Sequence, residues 1–116
     1  MGEPVKPVFG LIKGNRYVAR FERTDDGGAV FVQVEVGGDT YTPTEKGGFR
    51  GTLGHETERG LSVVRALPNG RYAVTRPDST EPLTATSTGM EFLDACAFAA
   101  KHAAASILRD KEAKGL

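Results

Sequence analysis

The sequence has no tryptophan, a single cysteine and no net charge. Because Cys96 is alone, no intramolecular disulfide can form, which fits a reducing compartment. The 15 basic residues balance the 15 acidic ones. A neutral chain has little long-range attraction for nucleic acid or for an anionic membrane surface. These features favour a neutral cytoplasmic protein.

Long apolar runs are also missing. No segment approaches the roughly 20 apolar residues that a membrane-spanning helix needs. Residues 1–13 contain an acidic residue and two prolines and have no long apolar centre, so they do not resemble a signal peptide. We therefore expect no contact with a membrane. The 116 residues are predicted to form a single domain, 1–116, with one modest core.

Glycine, by contrast, is abundant, with 15 residues, and this content fits the tight turns of a strand-rich domain. Residues 16–23 alternate between apolar and polar side chains, which predicts a strand that buries Tyr17, Ala19 and Phe21. Residues 29–36 alternate in the same way. In this second strand one face is predicted to carry four valines and the other Phe31, Gln33 and Glu35. The valines are Val30, Val32, Val34 and Val36.

Further short strands are predicted along the first three quarters of the chain, from about residue 8 to residue 86. They cover 8–12, 40–42, 61–67, 71–76 and, as a short edge strand, 83–86. Residues 43–60 have no periodicity and contain five glycines, which predicts a long glycine-rich loop that is functional or mobile. The result is an antiparallel sheet of about five strands.

The last quarter of the sequence predicts one long helix, at about 89–113. Thr88 and Glu91 have the spacing of a capping box, and Gly115 stands where a helix would end. An apolar stripe follows the helical period and is expected to face the sheet. It consists of Phe92, Leu93, Cys96, Ala99, Ala100, Ala103 and Ile107. The predicted fold is therefore α+β, with Cys96 as a small core residue.

One aromatic residue of this helix lies off the apolar stripe. Phe98 falls on the polar side, near His102 and Arg109. An exposed ring at this position predicts a second contact surface, through which the chain binds a partner or forms a homodimer. In the alternative interpretation another part of the chain covers Phe98.

The predicted loop contains the one cluster that resembles a chemical site. His55 and Glu56 begin like a zinc-protease motif, but the second histidine is missing. With two histidines and one cysteine in the chain, we predict no metal and no cofactor. His55 and Glu56 can still be an acid–base pair, and this gives one hypothesis, a small enzyme. Phosphate-binding and nucleophile-elbow motifs are absent.

Arginines on the predicted strands support another hypothesis, the binding of single-stranded nucleic acid. Arginines can follow a phosphate backbone while aromatic rings stack on bases. The arginines are Arg16, Arg20, Arg65, Arg71 and Arg76, and the rings are Tyr17, Tyr41, Tyr72 and Phe49.

The function that the sequence favours is a non-catalytic protein-binding module. An inhibitor, an immunity-type protein or an adaptor would all act in this way, by direct contact with another protein. Two groups of residues are predicted to make the contact. One lies on the helix (Phe98, His102 and Arg109), and the other lies in the loop (Phe49, Arg50, His55 and Arg59).

Overall fold

The computed structural model describes residues 2–83 and 88–116 and shows an α+β fold, as predicted. Seven antiparallel strands form one sheet, rather than about five, and a single long helix follows them. The strands are β1 (Val8–Ile12), β2 (Asn15–Arg23), β3 (Ala29–Val36), β4 (Asp39–Pro43), β5 (Phe49–Gly51), β6 (Val63–Ala66) and β7 (Tyr72–Thr75). The helix α1 is Phe92–Ala113.

Two tight turns set the register of the sheet. Lys13 and Gly14 have φ values of 49° and 78°, and Gly37 and Gly38 have φ values of 62° and 78°. Two successive residues with positive φ make a type I′ turn, whose twist matches that of antiparallel strands. The first turn pairs β1 with β2, and the second pairs β3 with β4.

The sheet divides at β3. The strands follow the order β1-β2-β3-β4-β5, while β6 pairs with β3 and with β7. Near its N-terminal end β3 pairs with β6, through Ala29 and Val64. Near its C-terminal end β3 pairs with β4 instead, from Val34 to Val36. β1 therefore lies at one edge of the sheet, beyond β2.

The faces of β3 differ from the prediction. Val34 and Val36 are buried as expected, but Val32 is 42% exposed and Phe31 is buried. The cause is a β-bulge, because Arg20 of β2 lies opposite Gln33 while Phe21 lies opposite Phe31. Val32 is thus the extra residue, which reverses the alternation on either side of it. The predicted face of β2 is confirmed, since Tyr17, Ala19 and Phe21 are all buried.

The prediction of a long glycine-rich loop at 43–60 is wrong for residues 43 and 49–51, which belong to β4 and β5. β5 pairs with β4, and Arg50 forms a β-bridge with Glu56. A Cβ atom at Gly48 would overlap the carbonyl oxygen of Thr57, so this glycine permits close backbone packing rather than mobility. Phe49 is 0% exposed and packs edge-on against Phe31. Phe49 is therefore a core residue, and its prediction as a contact residue is corrected.

The helix begins later than the capping box predicts. Glu91, not Thr88, is the N-cap, and it makes no side-chain capping hydrogen bond. Its carboxylate lies 3.3 Å from Nη1 of Arg71 instead. The end of the helix is confirmed: Gly115 has a φ of 70° and donates to the carbonyl oxygen of Glu112, while Leu116 donates to that of Lys111. These two bonds form a Schellman motif, which favours glycine at that position.

The buried stripe of α1 is confirmed in its centre. It consists of residues that are 0% exposed, namely Ala95, Cys96, Ala99, Ala100, Ala103, Ala104 and Ile107. Leu93 differs from the prediction, since it is 63% exposed. Phe98, for which exposure and covering were both left open, is half-buried against the core. The Phe98 ring stacks on His102 with 6.3 Å between the ring centres.

Of the edge strand predicted at 83–86, only Leu83 is described, and its amide donates to the carbonyl oxygen of Val74. Residues 84–86 lie outside the described residues. In the described ranges, no helix has both the length and the apolar character needed to cross a membrane.

The buried alanines of α1 predict that a larger side chain does not fit between the helix and the sheet. Ala100 is fully buried, whereas Ala97 is exposed on the same helix. We expect Ala100→Leu to lower the free energy of unfolding by about 1–3 kcal/mol, because the larger side chain must displace packed neighbours. The matched variant Ala97→Leu should change it by less than about 0.5 kcal/mol. Urea unfolding of both variants measures the difference. Equal stabilities would show that the helix is not packed closely at Ala100.

Candidate functional site

His55 does not pair with its sequence neighbour but links two distant elements. Its Nδ1 atom lies 2.7 Å from the hydroxyl of Tyr41 on β4, and its Nε2 atom lies 2.7 Å from Oδ2 of Asp110 on α1. Tyr41 is 0% exposed and His55 is 9% exposed. A neutral imidazole with its proton on Nε2 satisfies both bonds, because it donates to Asp110 and accepts from Tyr41. His55 therefore anchors the segment after β5 to the end of the helix.

The environment of Asp110 keeps its carboxylate ionised. The carboxylate lies near the C-terminal end of α1, where the helix dipole disfavours negative charge. The hydrogen bond from His55 and then the ammonium of Lys114, 3.0 Å away, lower the pKa of Asp110. Lys114 also donates to the carbonyl oxygen of Glu56, at 2.8 Å. The last turn of the helix is thus attached to residues 55 and 56 at two points.

The proposed acid–base pair of His55 and Glu56 is not formed. Neighbouring residues in extended backbone point in opposite directions, so His55 is buried while Glu56 is exposed. The carboxylate of Glu56 pairs with Arg50 at 3.1 Å, and Asp110 takes the place beside His55. The sequence could not indicate Asp110, because 55 positions separate it from His55. Both ring nitrogens of His55 are engaged inside the protein, so His55 is corrected from a contact residue to a structural one.

The aromatic platform proposed for nucleic acid is also not formed. Tyr17, Tyr41 and Phe49 are at most 6% exposed, so their faces cannot stack on bases. Tyr72 packs edge-on against Phe92, with 5.0 Å between ring centres. Two of the five arginines bind within the protein: Arg71 pairs with Glu91, and Arg65 donates to Thr75.

Three of the predicted contact residues do come together. Arg59, His102 and Arg109 line one groove, with a volume of about 580 Å³, between α1 and the segments around residues 44–47, 58–61 and 76–78. Arg76 joins them from the end of β7, so three arginines distant in sequence share one concave surface. The remaining lining residues are Thr44, Glu45, Lys46, Gly47, Glu58, Gly60, Leu61, Pro77, Asp78, Leu83 and Ser106.

Among the residues that the structure describes, Arg59, Arg76 and Arg109 form no ion pair. The guanidinium of Arg109 reaches only the hydroxyl of Ser106, at 3.5 Å. Burial, and then the charges of Arg109 and Arg76, lower the pKa of His102. The lowered pKa favours neutral His102, so the arginines and Lys46 supply the positive charge of the groove.

Other candidate sites are weaker. In the part of the chain that the structure describes, no three histidine, cysteine, aspartate or glutamate side chains are placed to hold a metal ion. Cys96 is fully buried in the helix interface, and burial raises its thiol pKa to about 11. The groove is thus the site that the geometry favours. No family model, curated protein or solved structure matches this chain in the comparisons with known proteins.

The pair of His55 and Asp110 predicts a pH-dependent contribution to stability. Because folding lowers the pKa of Asp110, the stabilisation is present at pH values above the ordinary carboxyl range and is lost as the pH falls through the lowered pKa. We therefore expect Asp110→Asn to be less stable than the parent protein near pH 6, with the difference shrinking below about pH 4. Urea unfolding at a series of pH values measures this.

The control for this prediction is Glu112→Gln, which removes an exposed carboxylate from the same end of the helix. It should follow the pH profile of the parent protein. A stability difference for Asp110→Asn that stays constant down to about pH 2 would contradict the assigned role of the ionised carboxylate.

Proposed function

We propose that this chain is a non-catalytic protein-binding module that holds an acidic segment of another protein in the groove beside α1. The observation that supports the proposal most directly is the set of three arginines, Arg59, Arg76 and Arg109, that line the groove without an ion pair among the described residues. An inhibitor, an immunity-type protein or an adaptor would use such a surface in the same way.

The arginines suit carboxylate ligands. A guanidinium group presents its donors in a planar fork, which binds a carboxylate through two parallel hydrogen bonds. Arg59 lies after β5, Arg76 follows β7 and Arg109 lies on α1, so the fold brings together cations from three elements. Their mutual repulsion is relieved when a carboxylate enters the groove.

The remaining lining residues favour a peptide segment over a uniform polyanion. Leu61, Pro77 and Leu83 give the groove an apolar part, and protein interfaces commonly combine apolar contacts with arginine. Three carboxylates, Glu45, Glu58 and Asp78, also line the groove. A nucleic acid would bring its regularly spaced phosphates close to these carboxylates, whereas a peptide can place its own acidic residues only beside the arginines.

Charge reversal in the groove tests the proposal. The probe is a fluorescein-labelled peptide of alternating glutamate and leucine, with a lysine–leucine peptide of equal length for comparison. We expect the acidic peptide to bind and Arg59→Glu/Arg109→Glu to weaken it by at least tenfold, because each lost charge-assisted pair costs about 1.5–3 kcal/mol. Fluorescence anisotropy measures the affinity.

The matched control is Lys101→Glu, which reverses an exposed charge on the same helix outside the groove. In physiological salt, which screens the reversed charge, the affinity of this variant for the acidic peptide should be within about twofold of that of the parent protein. Equal affinity of the parent and the double variant would contradict the proposal. Arginine-dependent binding of an oligothymidine in preference to the peptide would favour a nucleic-acid ligand instead.

A further inference from the structure

Some backbone groups of β1 point away from β2, towards the outer side of the sheet. β1 lies at the edge of the sheet, and the type I′ turn makes Ile12 and Asn15 a hydrogen-bonded pair. Because such pairs alternate along an antiparallel ladder, Gly10 also bonds to β2, while the amide and carbonyl groups of Phe9 and Leu11 point away from it. In the described ranges, no strand pairs with β1 on this outer side.

The same two residues expose large apolar side chains. Phe9 is 72% exposed and Leu11 is 66% exposed, on the face of the sheet opposite to α1. Between them a Cβ atom at Gly10 would overlap the ring of Tyr17, so the strand rests directly on a buried aromatic residue. Proteins commonly protect an edge strand with a bulge, an inward-pointing charge or a covering segment. β1 has none of these within its five residues, and the residue types that also protect edges, proline and lysine, lie just outside it at Lys6, Pro7 and Lys13.

Four cations lie around this apolar edge, and Glu22 and Glu35 lie on the same face of the neighbouring strands. Lys6 precedes β1 and Lys13 follows it, and both are exposed. On the neighbouring strand Arg16 pairs across from Leu11, and Arg20 is exposed further along. Within the described part of the chain, none of these four cations forms an ion pair.

We propose that β1 binds an extended segment of another protein, which adds to the sheet as a further strand. Backbone hydrogen bonds to Phe9 and Leu11 would supply affinity, as in other cases of strand addition. Apolar side chains at alternate positions of the segment would contact the exposed Phe9 and Leu11 side chains. Acidic residues flanking them would face the four cations by charge complementarity.

A second copy of this chain fits the edge less well. Two copies can pair about a two-fold axis at Gly10, with Phe9 of each opposite Leu11 of the other. In this register Lys13 of each copy lies opposite Pro7 of the other, so the cations at the ends of β1 are brought towards those of the second copy, and like charges repel. The charge pattern therefore favours an acidic partner. This surface shares no residue with the groove, so it is a second interaction surface, and its test is independent of the groove.

A peptide selection that compares the parent protein with a variant whose β1 edge is blocked tests the proposal. The probe is a phage-displayed library of random peptides, selected on the parent protein and on Leu11→Pro. Proline removes the outward-pointing amide of Leu11 while the hydrogen bonds between β1 and β2 remain. We expect enriched peptides with alternating apolar residues and acidic flanks, and affinities at least tenfold weaker for Leu11→Pro. The variant Phe9→Thr/Leu11→Thr keeps strand-forming residues and should weaken binding to a similar extent.

Amide hydrogen exchange locates the bound peptide. In the free protein the amides of Phe9 and Leu11 should exchange faster than that of Gly10, and peptide binding should slow both. The amide of Gly10, already bonded to β2, is the internal control. Peptides that bind the parent protein and both variants equally would overturn the proposal. So would a library that yields no enriched peptide, or a homodimer in sedimentation with Phe9 and Leu11 already protected.

Discussion

The close contact between α1 and the sheet is the constraint on which the rest of the structure depends. Alanines line the central turns of the helix on its inner side, and small side chains let the helix axis approach the strands. In a chain of 116 residues the area that can be buried is limited, so a single helix must cover much of one face of the sheet. Ile107 and the aromatic residues Phe21 and Phe31 fill the space that the alanines leave.

A second constraint orders the glycine-rich segment between β4 and β6. Two buried polar groups hold it: His55, through Tyr41 and Asp110, and Asp39, whose carboxylate accepts hydrogen bonds from the amides of Thr52 and Leu53. Burial disfavours the ionised form of Asp39, but these bonds and that of the Thr52 hydroxyl outweigh it and lower its pKa. These polar bonds add to the buried ring of Phe49 in holding the segment, because its glycines offer no side chains to bury.

The sequence predicted those parts of the fold that follow from local periodicity and turn chemistry. The faces of β2, the alanine stripe and the stop at Gly115 are of this kind. It did not predict the bulge at Val32, because a single inserted residue leaves the alternation of four valines intact in the sequence. Nor did it predict the burial of His55, whose partner Asp110 comes from a distant element. For the candidate site, the arginines were recognisable one by one, but only the fold shows that Arg59 and Arg109 lie beside the same groove.

The position of α1 also decides which surfaces stay open. Because the helix covers one face of the sheet, Phe9 and Leu11 on the opposite face have no part of the described chain packed over them. The groove has the same origin, since it lies where α1 passes the end of β7 and the segments around residues 44–47 and 58–61, and where arginines from three parts of the chain meet. The compact packing of one face thus leaves two surfaces of different character. One is a concave site lined by arginine, and the other is an apolar strand edge with a cationic border.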